Sequence, residues 1–159
     1  MKSRLALSVL AWSLVGSVFA HDFKQSGLTV DHPWARASTP GAQMGAVYMK
    51  INNAGKTADA LLEASSPSLA EEIEIHNHIN DNGVMRMRQV PQVAVPAGGT
   101  VMLKPHSYHI MLFGLKKPLV VGDVVPMTLR FKQAGEVKVE VTVEPIDADP
   151  ATMHGTHGS

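Results

Sequence analysis

Apolar and polar residues alternate with a period of two through most of the chain between residues 28 and 144. The clearest stretch is "VKVEVTVE" (137–144), where Val137, Val139, Val141 and Val143 fall on one side and Lys138, Glu140 and Thr142 on the other. Successive side chains of a strand point to opposite faces, so this pattern predicts a strand with one face in a core. Comparable runs predict strands near 28–31, 44–52, 59–65, 71–78, 84–90, 92–95, 100–104, 107–113, 124–131 and 136–144. Between them stand "STPG" (38–41), "NNAG" (52–55), "NDNG" (80–83), "PAGG" (96–99), "VGD" (121–123) and "QAGE" (133–136), whose Gly, Asn and Pro suit tight turns. No window of eleven or more residues carries a helical stripe, and there is no internal repeat. Many short strands with frequent turns predict one all-β domain, an antiparallel sandwich or barrel.

The ends differ from this middle. Lys2 and Arg4 precede an apolar run from Leu5 to Phe19 that closes on "VFA" (18–20), the pattern of a Sec-type signal peptide cleaved after Ala20. Residues 1–20 are therefore expected to be removed on export, and the run is too short to favour a retained membrane anchor. The β-domain is expected over 21–146. The tail 147–159, "DADPATMHGTHGS", has no apolar periodicity, yet it places Met153, His154 and His157 within five residues. Short His-rich tracts can bind metal.

Composition narrows the chemistry. Without Lys2 and Arg4 the exported chain carries 12 basic residues against 14 acidic, which gives no electrostatic footprint for nucleic acid. Cysteine is absent. That excludes a disulfide framework, a thiol nucleophile, a Cys-based zinc site and thiolate-ligated copper. The chain is rich instead in methionine and histidine, with nine and eight residues.

The alternation says where these residues point. In "EEIEIHNHI" (71–79) Ile73 and Ile75 mark the core face, so Glu74, His76 and His78 are expected to face outward. In "YHIMLF" (108–113) Tyr108, Ile110 and Leu112 point in, and His109 and Met111 out. In "VMRMRQV" (84–90) Met85, Met87 and Gln89 share one face, but the pattern leaves open which face looks inward. "NDNG" joins the first and third of these segments as a hairpin, and a Greek-key return brings up the second. Two imidazoles and two thioethers are then able to converge. Thioethers are soft ligands that select Cu(I), and imidazole suits copper in either oxidation state. The competing reading is that methionine on a strand ordinarily fills core. It is applied to Met44, Met49, Met102 and Met127, which lie in apolar runs.

Ten residues separate His76 from Met87, twenty-one separate Met87 from His109, and one separates His109 from Met111. This spacing resembles the motif of the periplasmic copper chaperone family PCu(A)C: His, ten residues, Met, twenty-one residues, His-x-Met. The flanks "HPWARAS" (32–38), "GVMRMRQV" (83–90), "VPAGGTVMLKP" (95–105) and "YHIMLFGLKKPL" (108–119) are similar as well, from about Gly27 to Glu144. The resemblance implies a cupredoxin-like Greek-key β-sandwich or barrel, with His76, Met87, His109 and Met111 as Cu(I) ligands. It makes Met85 a shield or substitute ligand, and the tail a short version of a Met/His-rich extension. It implies a periplasmic carrier, not an enzyme, supplying the CuA subunit of cytochrome c oxidase directly or through a Sco-type copper protein.

The chain departs from the family's pattern at two places. His106 stands where a small residue, usually glycine, is expected, and His78 where relatives often carry methionine; both are secondary ligand candidates. His21 would be the exported N-terminus, whose amine and imidazole suit Cu(II), as do His154 and His157. This extra capacity favours the alternative function, copper buffering without a dedicated acceptor. A metalloenzyme would need an acid or base in the site, for which Glu74 is the only near residue.

Overall fold

The computed structural model describes residues 22–148. Among the described residues there are eleven strands and no helix: β1 (Asp22–Gln25), β2 (Leu28–Arg36), β3 (Met44–Asn53), β4 (Asp59–Ser65), β5 (Ala70–Asp81), β6 (Val84–Gln89), β7 (Val93–Val95), β8 (Thr100–Leu103), β9 (His109–Leu115), β10 (Val124–Phe131) and β11 (Gly135–Glu144). They join in one hydrogen-bonded sheet with the order β6-β5-β9-β3-β2-β11-β10-β4-β7; β1 adds to β2 and β8 to β3. The all-β expectation holds. β1 is an element the sequence pattern did not predict, since "DFKQ" is short and barely alternates. β2 also runs on through "HPWAR", with a bulge between Asp31 and Trp34 that puts His32 at φ 47°. One pair breaks the antiparallel expectation: β11 runs parallel to β2, pairing Thr142 with Trp34 and Glu144 with Arg36.

The core lies on the face the alternation marked. Val137, Val139, Val141 and Val143 of β11 are buried with Val125, Met127, Leu129 and Phe131 of β10. Val47, Met49 and Ile51 of β3, Ile110 and Leu112 of β9 and Ile75 of β5 complete the cluster around the opposite strands. Met49 and Met127 are packing residues, as expected. Met44 is not, for it is 56% exposed at the start of β3, ahead of the point where that strand enters the core.

Two features hold the frame. Asn82 and Gly83 both take positive φ, 51° and 86°, and form the two-residue turn between β5 and β6. Such a turn matches the natural twist of a hairpin and sets its register, His78 opposite Met87. At the far end, buried Asp59 accepts the backbone N–H groups of Ala60, Gln133 and Ala134 at 2.7–2.9 Å. Its carboxylate thereby ties β4 to the β10–β11 turn.

Candidate metal centre

The face of the sheet turned away from the core carries a row of rings across four neighbouring strands. Trp34 on β2 stands opposite Tyr48 on β3, with ring centroids 4.7 Å apart. Tyr48 is 6.4 Å from His109 on β9, and His109 is 6.0 Å from His76 on β5, its direct partner across the ladder. Phe113, two steps further along this face of β9, stands 5.9 Å from His76. The side predicted for His76 and His109 is therefore right, but its exposure is not. His76 is 8% and His109 3% exposed, because neighbouring rings cover this face as a second buried layer. Alternation within one strand cannot register rings contributed by three others.

The hydrogen bonds of His109 fix its tautomer. Nδ1–H donates to the Ser107 carbonyl at 2.8 Å, which leaves the lone pair on Nε2, and Nε2 lies 3.1 Å from the Met87 sulfur. A backbone carbonyl holding the far nitrogen is the usual way a metal-binding imidazole is oriented. Burial lowers the His109 pKa from its ordinary value; nearby His78 and His76 act in the same direction, and the bond to Ser107 opposes them. The ring is thus biased toward its neutral, ligating form.

His76 is oriented in a similar way by a side chain. Its Nε2 lies 2.5 Å from Glu74 Oε2, and its Nδ1 is buried with no hydrogen-bond partner among the described residues. With Nε2–H donated to Glu74, the free lone pair of His76 sits on that orphaned Nδ1. A buried nitrogen without a partner is costly in an apo protein unless something fills it.

β6 resolves the question left by its sequence. All six of its residues are exposed, so neither face is core. The register His78–Met87 and Asn80–Met85 puts Met85 and Met87 on the His face. Met87 lies against His109, whereas Met85 is one step further toward the turn and 55% exposed. Met111 shares the face of His109, opposite Glu74 on β5 and Ala46 on β3. It is half-buried and lines a groove of about 290 Å³ together with Arg36, Met44, Tyr48 and Ile146.

His106 is not on a strand at all. β9 starts at His109, and residues 104–108 form a turn closed by Lys104 N–H to Tyr108 O at 2.9 Å and Ser107 N–H to Lys104 O at 3.1 Å. His106 sits in that turn at φ 62° and its ring is 5.7 Å from that of His78. His78 is in turn 5.3 Å from His109. His21, Met153, His154 and His157, the segment 1–20 and the last part of the tail lie outside the described residues. Among the described residues, no three His, Asp or Glu side chains form a group that would hold a metal. The donors beside His109 and His76 are methionine sulfurs, and a donor set of imidazole and thioether fits a soft ion.

Residues 28–143 match the family model LpqE-like, described as "Putative lipoprotein LpqE-like". The chain belongs to this family, which is the PCu(A)C family. It is 31% identical over 141 residues to "Putative lipoprotein Lxx21020" of Leifsonia xyli subsp. xyli, covering 88% of this chain and 83% of that one. The copper-bound PCuAC domain from PmoF2 superposes with a TM-score of 0.68 at 26% identity, over 79% of this chain and 98% of that domain. The solution structure of CuI-DR1885 from Deinococcus radiodurans superposes with a TM-score of 0.61 at 28% identity, covering 82% and 83% of the two chains. Together with the sheet described above, these likenesses assign the cupredoxin-like β fold.

Proposed function

We propose that this PCu(A)C-family protein is a periplasmic Cu(I) chaperone whose cargo is held by His76, Met87, His109 and Met111. The observation that carries the reading is His109: a buried imidazole held by Ser107 through Nδ1, with its Nε2 lone pair facing the Met87 sulfur. The copper-bound PCuAC domain from PmoF2 supports the choice of metal, and the CuI-DR1885 structure supports the oxidation state. The lipoprotein names of the family and of the Leifsonia relative support a place outside the cytoplasm.

The chemistry suits a carrier. The exposed edge strand β6 supplies one thioether, so a thiolate of an acceptor can approach there and displace the sulfur first. Thiolate is the stronger Cu(I) ligand, and transfer to a cysteine site runs downhill. The acceptor we infer is the CuA subunit of cytochrome c oxidase or a Sco-type protein serving it. Cu(I) competition titration of the exported chain tests the ligands: Met87→Ala combined with His109→Ala is expected to abolish tight binding, and unchanged affinity overturns the site. Deletion of the gene under copper limitation tests the role. Lost oxidase activity supports delivery, while sensitivity to excess copper alone supports buffering, which the Met/His tail and His21 favour.

A further inference from the structure

We infer that His78 and His106 form a second, outer metal site that takes Cu(II). The two rings stand 5.7 Å apart, and the Nδ1 of His78 is buried without a hydrogen-bond partner among the described residues. An imidazole nitrogen binds a first-row metal at about 2.0–2.1 Å, which lets two ring centres around one ion stand up to roughly 6 Å apart. His109 is near enough to His78 to compete, but its single free lone pair is already directed at Met87. The two pairs draw on different imidazoles: His76 and His109 face each other across β5 and β9, whereas His78 stands one step further along β5, opposite Met87 and beside the exposed His106.

The backbone at His106 points the same way. A non-glycine residue at φ 62° is disfavoured, and glycine would relieve the turn at no cost to the fold. The sequence keeps an imidazole there, exposed and next to His78. Met87 lies 3.1 Å from His109 Nε2 and belongs to the inner set, so the outer donors are two imidazole nitrogens, completed by water. That set suits Cu(II), which prefers nitrogen and oxygen in a tetragonal arrangement and outcompetes the other divalent ions of the first row.

The test is Cu(II) titration of the full exported chain, followed by electron paramagnetic resonance and by chelator competition, for the wild type and for His106→Gly and His78→Gln. His106→Gly is chosen because it relaxes the turn and keeps the fold. Each variant is expected to bind this Cu(II) equivalent at least tenfold more weakly and to lose the two-imidazole nitrogen signature, with Cu(I) affinity changed less than threefold. An unchanged Cu(II) signature in both variants overturns the proposal. So does a signature that persists in them and disappears in His154→Ala/His157→Ala or His21→Ala. The outer site is independent of the Cu(I) reading: loss of the Cu(II) signal in His106→Gly upholds it even if Met87→Ala with His109→Ala leaves Cu(I) binding intact.

Discussion

The imidazole of His109 makes two commitments: one nitrogen donates to a backbone carbonyl, and the other presents its free lone pair beside a thioether. Removing the sulfur while keeping the volume isolates the second commitment. Met87→Leu is expected to lower Cu(I) affinity at least tenfold in a competition titration, while costing under about 1.5 kcal/mol of stability, as volume-conserving swaps do. Glu74→Gln is a milder change, since an amide can still accept from His76 but carries no charge. Its Cu(I) affinity is expected to fall about tenfold, the low end for partners that orient a metal-binding histidine. Glu144 offers a contrast away from the site. Burial raises its pKa above the ordinary value, and His32, 2.7 Å from its Oε1, opposes the shift. A raised folded-state pKa contributes stability that is full below the ordinary glutamate range and is lost as pH rises through the folded value. Denaturant melts across weakly acid to neutral pH should therefore show Glu144→Gln gaining on the wild type as pH rises.

At the scale of elements, the β5–β6 hairpin stands apart. β6 is the edge of the sheet, pairs with β5 and buries none of its residues, so the rest of the fold does not depend on its packing. It nevertheless carries the methionine that faces His109. Gly83 is at φ 86° in the turn that sets this register, with nothing within 4 Å of where a Cβ would stand. Gly83→Val thus adds backbone strain without a clash, about 1–2 kcal/mol for a side chain forced into the left-handed region. The expected result is weaker Cu(I) binding with the core transition little changed, read as faster amide exchange in β6 than in β9. Equal protection of both strands in the variant would count against a separately adjustable hairpin.

For the whole molecule, stability and the candidate site draw on opposite faces of one sheet. The core cluster lies on one face and the row Trp34, Tyr48, His109 and His76 on the other. Asp59, bound to three backbone N–H groups by the β10–β11 turn, belongs to the frame alone. Asp59→Ala leaves buried donors without a partner and should cost about 3 kcal/mol by chemical denaturation. Cu(I) affinity below the melting transition should remain within about twofold, because additivity holds for distant sites. Cu(I) itself should raise the melting temperature in proportion to the logarithm of its free concentration, in the variant as in the wild type.

The alternation of Val137, Val139, Val141 and Val143, and of Ile110 and Leu112, determined the strands and their core faces, because a period of two is a property of the strand itself. Asn82–Gly83 determined a hairpin and its register, because few dipeptides accept positive φ twice in succession. The spacing from His76 to Met111 pointed to the residues of the candidate site, and did so through family resemblance, since strand geometry alone left the inward face of 84–90 open. What the sequence could not determine depends on neighbours distant in the chain. That His109 and His76 are buried follows from rings on other strands, Tyr48 of β3 beside His109 and Phe113 of β9 beside His76. That Met44 opens onto a groove with Met111, and that His106 leaves the strand to stand beside His78, follows from how loops close over the sheet. The parallel pairing of β11 with β2 belongs with these, for it joins the two ends of the domain, and a one-strand pattern carries no record of its partner. Local periodicity selects the elements; only their packing decides which atoms meet.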